Sequence, residues 1–125
     1  MAEGMRILIV DDDPAIREID AAVLKRRGLV VDLAGDGTEV VALLQQRSYA
    51  AVVLDLLMPR MHGGEVLRFM KSHDITTPVI VMSALGDTSD FELDPALVRV
   101  RLKKPIEIHD LRNVVDAILR ASAPE

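Results

Sequence analysis

The chain has 125 residues, enough for one domain with a single hydrophobic core. We expect one domain that covers about residues 5–121, followed by a tail or linker stub at 122–125. Half of the residues are hydrophobic, but only Tyr49, Phe69 and Phe91 are aromatic, so the expected core is aliphatic. The lack of cysteine excludes disulfides and thiolate zinc sites. The net charge of −5 argues against nucleic-acid binding. Because no apolar run is typical of a membrane span or a signal peptide, we expect a cytoplasmic protein.

The first predicted element is a strand over Arg6–Val10, because a short continuous apolar run is typical of a strand buried on both faces. Asp13 and Pro14 then match the N-cap and the first residue of a helix. Gly28 ends this helix. Its predicted apolar face consists of Ile16, Ile19, Val23 and Leu24.

Two further strand–helix pairs and a fourth strand follow in the same alternating order. Val30–Ala34 is the second predicted strand, and the turn "GDGTE" leads into the second helix. The third strand covers residues 51–54 and ends at Asp55, and the third helix covers residues 64–72. The fourth strand, "VIVM", ends at Ser83.

The segment "ALGDTSDFELDPA" is poor in helix-forming residues, so we expect a short, displaced or partly disordered helix there. The next stretch, "VRVRLK", alternates apolar and basic residues, which is typical of a half-covered strand at a sheet edge. Residues 107–120 have the apolar spacing of a closing helix.

Five strands alternating with about five helices predict an α/β fold with an open, doubly wound parallel sheet. Ligands of such sheets bind at the carboxyl ends of the strands. Those ends consist here of an aspartate run (residues 11–13) after the first strand, Asp55 after the third, Ser83 after the fourth and Lys104 after the fifth.

These strand ends combine carboxylates with a hydroxyl and an ammonium group, and they include neither cysteine nor histidine. Two like charges about 4 Å apart repel by roughly 4 kcal/mol at an effective dielectric constant of 20. Mg²⁺, a hard cation that prefers oxygen ligands, would neutralise this repulsion. A lysine and a hydroxyl beside it make a pocket for a phosphoryl group, and one carboxylate could itself accept that group.

Four motifs in this order, "ILIVDDDP", "VVLDLLMPRMHGGE", "VMSA" and "KKP", resemble the receiver domain of two-component response regulators over about residues 5–121. The resemblance implies a flavodoxin-like sheet with the strand order 2-1-3-4-5. It also implies a signalling switch whose only chemistry is its own phosphorylation and dephosphorylation.

Position by position, the resemblance makes Asp55 the phosphoacceptor. It makes Asp11 and Asp12 ligands of Mg²⁺ (Mn²⁺ is possible), together with Asp55 and the backbone carbonyl of Leu57. Ser83 would donate a hydrogen bond to the phosphoryl group, and Lys104 would form an ion pair with it. The bond between Lys104 and Pro105 is often cis in this family.

The resemblance also implies partners. A histidine kinase or a histidine phosphotransfer protein would donate the phosphoryl group, and an unidentified target or output domain would receive the signal. We expect no direct contact with nucleic acid or a membrane, and either a monomer or a phosphorylation-dependent dimer.

One position departs from the family pattern. Many receivers have an aromatic residue three positions before the lysine, where this chain has Arg101. We therefore expect an atypical output face, without an aromatic rotamer switch at Arg101. Because Arg99 and Arg101 lie on the face that a helix over residues 87–97 would cover, we expect that helix to be absent, short or mobile. His62, His73 and His109 are interpreted as surface residues.

Two other interpretations remain. A small haloacid-dehalogenase-like phosphatase would use Asp11 and Asp13, because such enzymes also place an Asp-x-Asp pair after an apolar strand. A receiver-like module could instead act by binding alone, without phosphorylation.

Overall fold

The computed structural model describes residues 4–58, 62–84 and 93–122. The segment for which we expected a short or displaced helix lies mostly in residues 85–92, outside the described residues, and so do residues 87–92 of the expected atypical output face. Within the described residues there are five strands and four helices, where the sequence predicted about five helices.

The elements agree with the predicted ones to within about two residues. In chain order they are β1 (Arg6–Val10), α1 (Pro14–Lys25), β2 (Val30–Ala34), α2 (Gly37–Gln46), β3 (Ala51–Asp55), α3 (Gly63–Ser72), β4 (Val79–Ser83), β5 (Val98–Lys103) and α4 (Ile108–Ser122).

All five strands are parallel and lie in the order β2-β1-β3-β4-β5, as the resemblance implied. The inner strands β3 and β4 are buried along their whole length, and β1 is buried except at its first residue. Helices cover both faces of these strands, which explains why their sequences are continuously apolar rather than alternating.

The core consists of two layers, one on each side of the sheet. Successive strand residues point to opposite faces, so Leu8 and Leu54 lie in the layer that includes α2 and α3. Ile7 and Val53 lie in the layer that includes α1 and α4. Because both layers hold the inner strands in place, the carboxyl ends of β1 and β3 lie side by side.

The predicted apolar face of α1 is partly wrong. Asp13 caps the helix as predicted, because its side chain accepts hydrogen bonds from the amides of Ala15 and Ile16. The buried residues of α1 are Ala21 and Leu24, whereas Ile19 is 51% exposed. The packed face of α1 therefore differs from the predicted one, since it includes Ala21 and Leu24 but not Ile19.

Strand β5 is the edge strand that its alternating sequence predicted. Arg99, Arg101 and Lys103 are exposed, while the apolar residues between them are buried or half-buried. Arg101, at the position where many receivers have an aromatic residue, is thus a surface side chain of this strand.

Gly63 begins α3 at a point where the backbone passes unusually close to β3. A Cβ atom at this position would lie 2.8 Å from the Cα of Leu56 and 2.9 Å from the carbonyl oxygen of Asp55. Both are backbone atoms, so neither can swing aside as the end of a flexible side chain would. The missing side chain of Gly63 therefore allows α3 to start directly beneath the end of β3.

Replacing Gly63 with alanine is expected to lower the free energy of unfolding by about 2 kcal/mol, because overpacking of a tight contact costs roughly 1–3 kcal/mol. Helix propensity alone predicts the opposite sign, since alanine favours a helix by about 1 kcal/mol over glycine. Urea unfolding of the Gly63→Ala variant distinguishes the two effects. A variant as stable as the unmodified protein, or more stable, would contradict the close approach.

Candidate functional site

The site lies at the carboxyl edge of the sheet, where β1 and β3 end beside each other. Asp11, Asp12 and Asp55 each place one carboxylate oxygen within 4.8 Å of those of the other two. Asp11 and Asp55 are buried, with 0% and 3% of their surfaces exposed, and Asp12 is exposed. The structure thus brings together the three carboxylates that the sequence singled out.

The third aspartate of the run has a different role. The amide of Asp13 donates a hydrogen bond of 2.9 Å to Oδ1 of Asp11, and the side chain of Asp13 caps α1. Asp13 is exposed and is not part of the carboxylate cluster found among the described residues. This arrangement does not favour the alternative in which Asp11 and Asp13 form a catalytic pair.

Lys104 joins the two buried carboxylates. Its Nζ atom lies 2.6 Å from Oδ2 of Asp11 and 3.0 Å from Oδ2 of Asp55. Its amide donates a hydrogen bond of 2.7 Å to the carbonyl oxygen of Ser83, so the ends of β4 and β5 are tied together behind it. The bond to Pro105 is cis, as the resemblance implied, and the neighbouring Lys103 points into solvent.

Burial and charge oppose each other in this cluster. Burial raises the pKa of Asp55 above its ordinary value, although the hydrogen bond and the charge of Lys104 act in the other direction. Burial alone would lower the pKa of Lys104, but its hydrogen bonds to Asp11 and Asp55 raise it on balance. The lysine is therefore held as a cation between the two acids.

Two other predicted residues adjoin Asp55. Ser83 is buried at the end of β4, with 2% of its surface exposed. The amide of Leu57 donates a hydrogen bond of 3.1 Å to Oδ1 of Asp55, and its side chain is 43% exposed. A phosphoryl-binding role for Ser83 and a metal-binding role for the Leu57 carbonyl remain predictions.

The chemistry of the carboxylate cluster fits a hard divalent cation. The cluster offers three carboxylate oxygens and no nitrogen or sulfur ligand, a donor set that suits Mg²⁺ or Mn²⁺ better than zinc or copper. The exposed position of Asp12 leaves one side of the cluster open to water, which matches the preference of Mg²⁺ for retaining several water ligands.

Sequence reasoning missed two residues that lie close to the site. Arg17 donates a hydrogen bond of 2.7 Å from its guanidinium group to the carbonyl oxygen of Asp11. Asp20, one turn further along α1, lines a cavity of about 360 Å³ together with Lys104. Their spacing along α1 places Arg17 and Asp20 on the same side of the helix, facing the site. The sequence analysis missed this because it placed a different, apolar face of α1 toward the core.

Asp20 is half-buried in a largely apolar environment. Burial, and then repulsion from the charge of Asp11, raise the pKa of Asp20 from 3.8 to about 6, with Lys104 acting weakly in the other direction. The other residues that line the cavity are Ile16, Ile19, Met82, Ala84, Pro105, Ile106 and Ile108.

None of the three histidines belongs to the carboxylate cluster found among the described residues. His62 is the N-cap of α3, His73 is exposed at the end of the same helix, and His109 is exposed in the first turn of α4. Their positions agree with their interpretation as surface or helix-end residues.

No helix within the described ranges is both long enough and apolar enough to span a membrane.

Comparison with known proteins identifies the relatives of this chain. The family model of the response regulator receiver domain matches residues 7–116. The response regulator MprA of Mycobacterium sp. (strain KMS) is 38% identical over 123 residues, which is 97% of this chain and 53% of the relative. MprA of Mycobacterium bovis (strain BCG / Pasteur 1173P2) is 37% identical over 98% of this chain and 54% of the relative. The chain thus spans about half the length of these relatives.

Solved structures show the same fold. The receiver domain of the Francisella response regulator 1452 has a TM-score of 0.87 and 27% identity, covering 96% of this chain and 100% of that one. The response regulator TrrA of Thermotoga maritima, solved in complex with Mg²⁺ and BeF, has a TM-score of 0.81 and 28% identity, covering 92% of this chain and 99% of that one.

The raised pKa of Asp20 predicts a stability difference that depends on pH. A carboxyl group with a higher pKa in the folded than in the unfolded state stabilises the protein fully below the unfolded pKa, and this contribution is lost as the pH rises through the folded pKa. We therefore expect Asp20→Asn to raise the free energy of unfolding above about pH 7 by roughly 1 kcal/mol, a figure reduced for solvent screening of a half-exposed group.

Urea unfolding in the presence of a chelator, at about pH 4 and about pH 8, measures this difference. Glu18→Gln, an exposed position on the same helix, is the matched control. The gain from Asp20→Asn should shrink at the lower pH. An equal gain at both pH values, or none at either, would contradict the environment described for Asp20.

Proposed function

Because the chain belongs to the family of response regulator receiver domains, we propose that it is a phosphorylation switch in which Asp55 accepts the phosphoryl group. The observation that supports this most strongly is the position of Asp55. It ends the central strand β3 and is buried. It also lies within reach of both Lys104 and the two acids that follow β1.

The proposed reaction needs one nucleophile and one leaving group. A carboxylate oxygen of Asp55 attacks the phosphorus of a phosphohistidine, a P–O bond forms, and the P–N bond breaks with its electron pair passing to the imidazole nitrogen. The cationic Lys104, now 3.0 Å from Asp55, would pair with the oxygens of the new acyl phosphate. The Leu57 amide, which already donates to Oδ1 of Asp55, orients the nucleophile.

Asp11, Asp12 and Asp55 would hold Mg²⁺ or Mn²⁺, with the Leu57 carbonyl as a further ligand. When bound, the cation supplies positive charge that neutralises the carboxylates and the transferred phosphoryl group. Two observations support this assignment, namely the oxygen-only donor set of the cluster and the Mg²⁺ and BeF of the Thermotoga maritima structure.

Phosphorylation would act by changing the partners of Lys104 and Ser83. Lys104 now bridges two carboxylates, and a doubly charged phosphoryl group on Asp55 would compete for it. Ser83 lies at the end of β4, and its carbonyl oxygen is bonded to the Lys104 amide, so both residues would shift together and bias β4 and β5 toward an active arrangement. The chain would then catalyse only its own phosphorylation and dephosphorylation.

A histidine kinase or a histidine phosphotransfer protein is the proposed donor. The cavity beside Lys104 supports a protein donor, because its rim exposes two large apolar residues, Ile19 at 51% and Ile108 at 45%. Exposed apolar surface of this kind marks protein contacts. An output domain or separate target would receive the signal, through either a monomer or a phosphorylation-dependent dimer.

Phosphorylation by a small phosphodonor tests the role of Asp55. Acetyl phosphate and Mg²⁺ should add one phosphoryl group per chain, detected by intact mass spectrometry, and Asp55→Asn should abolish the addition because an amide is not a nucleophile here. Asp13→Asn is the matched control, since asparagine caps a helix as well as aspartate does.

The same pair of variants separates the proposed function from the phosphatase alternative. A phosphatase that used Asp11 and Asp13 would lose activity on phosphate monoesters in Asp13→Asn and keep it in Asp55→Asn. Phosphorylation that persists in Asp55→Asn would contradict the proposal. Lack of any phosphorylation of the unmodified protein would leave the pure binding module as the better interpretation.

A second prediction concerns the protein donor. With any histidine kinase or phosphotransfer protein that phosphorylates the unmodified chain, Ile19→Arg should slow phosphotransfer at least 10-fold, because it places a charge on the apolar rim. Phosphorylation by acetyl phosphate should not change. Val30→Arg, at an apolar residue that is 39% exposed at the far end of β2, should leave both rates unchanged. Equal slowing with both donors would show that the site itself was damaged and would contradict a docking role.

A further inference from the structure

We propose that Arg17 is a positioning residue that holds the two acids after β1 in the arrangement that binds the metal, and that Gly35 leaves the space through which Arg17 reaches Asp11. The inference rests on the proposed function, because it concerns the Mg²⁺ site formed by Asp11 and Asp12. Arg17 itself is not proposed to contact the metal.

The first observation is the partner that Arg17 provides to Asp11. Asp11 has 0% of its surface exposed, so water does not reach its carbonyl oxygen. The guanidinium group of Arg17 donates a hydrogen bond of 2.7 Å to this oxygen. A buried carbonyl without a donor costs about 1–3 kcal/mol, and a charged donor makes a stronger bond than a neutral one.

The second observation is the close approach of the Arg17 side chain to Gly35. A Cβ atom at this position would lie 2.6 Å from NH1 of Arg17, which is closer than real Cβ contacts occur. The φ angle of Gly35 lies outside the left-handed region, so the backbone itself does not require glycine. The side chain of Arg17 crosses Gly35 on its way to Asp11, so a methyl group at residue 35 would displace the guanidinium group from this path.

These contacts fix the loop that contains the acids from three directions. The amide of Asp11 donates to the carbonyl oxygen of Ala34 at 3.1 Å, and Oδ1 of Asp11 accepts from the amide of Asp13 at 2.9 Å. Arg17 holds the carbonyl oxygen that remains. That oxygen lies in the same rigid peptide plane as the amide of Asp12, so holding it also fixes the direction in which Asp12 leaves the strand.

A purely structural role predicts a different result from a positioning role. If Arg17 only stabilised the fold, its loss would lower the free energy of unfolding and leave the metal affinity of the folded protein unchanged. If it positions the acids, the Mg²⁺ dissociation constant of the folded protein rises, because partners that orient metal ligands typically change metal affinity about 10- to 100-fold.

The experiment uses four variants and no phosphodonor. Mg²⁺ is titrated into the unmodified chain, Arg17→Met, Gly35→Ala and the double variant, and the dissociation constant is read from amide NMR shifts. The free energy of unfolding is measured separately in the presence of a chelator. Arg26→Met, at the exposed far end of α1, is the control for the lost charge. Arg17→Lys provides a variant that keeps the charge and one donor.

Arg17→Met is expected to raise the Mg²⁺ dissociation constant about 10-fold, Arg17→Lys less, and Arg26→Met less than 2-fold. Gly35→Ala should also raise it, because the added methyl group displaces the guanidinium. The double variant should be no weaker than Arg17→Met alone, since the methyl group then has nothing to displace.

An unchanged dissociation constant in Arg17→Met, in a protein that binds Mg²⁺ normally before the change, would overturn the inference. Independent effects of Arg17→Met and Gly35→Ala that multiply in the double variant would overturn the role assigned to Gly35. If Arg17→Met does not fold, Gly35→Ala and Arg17→Lys decide the question by the same measurement. Failure of the unmodified chain to bind Mg²⁺ would instead contradict the proposed function on which the inference rests.

Discussion

The ion cluster of Lys104 with Asp11 and Asp55 is the interaction on which the rest of the site depends. Both carboxylates are almost completely buried, and neither charge would be tolerated there without a partner. Lys104, which follows β5, supplies that partner. Its backbone amide donates a hydrogen bond to the carbonyl oxygen of Ser83 at the end of β4. The strand order β2-β1-β3-β4-β5 is what brings these three side chains to one edge of the sheet.

In the proposed function, the same cluster would make the site responsive. Two buried acids and one half-buried cation carry a net negative formal charge, which a divalent cation would reduce and a phosphoryl group on Asp55 would increase. Each of these changes would alter the electrostatic attraction that acts on Lys104. The backbone amide of Lys104 is hydrogen-bonded to the carbonyl oxygen of Ser83. In the proposed function, a local change of charge at Asp55 would therefore bias the positions of β4 and β5, which is the physical requirement for a switch.

The fold and the carboxylate cluster could be predicted from the sequence because they depend on local patterns. Continuous apolar runs marked the buried strands, and the residues at their ends marked the site. Orientation of the helices could not be read in the same way. The sequence predicts Ile19 on the apolar face of α1, but Ile19 is 51% exposed, because the packing of α1 depends on the shape of the sheet beneath it.

Contacts between residues distant in the chain also could not be predicted from the sequence. Arg17 lies in α1 and Gly35 follows β2, and nothing in their local sequence shows that one crosses the other. The contact between Gly63 and the end of β3 is of the same kind, since only the folded backbone reveals how close the two segments lie. In both cases the contact that a larger side chain would disturb is with a residue distant in the sequence.

Binding of beryllofluoride, which mimics a phosphoryl group on a carboxylate, tests the central claim most directly. In amide NMR spectra of the unmodified chain, addition of beryllium, fluoride and Mg²⁺ together should shift the resonances of Asp55, Ser83 and Lys104 and of β4 and β5 around them, and omission of Mg²⁺ should prevent the change. Spectra that stay the same with all three components present, or that change equally without Mg²⁺, would contradict a metal-dependent phosphoryl site at Asp55.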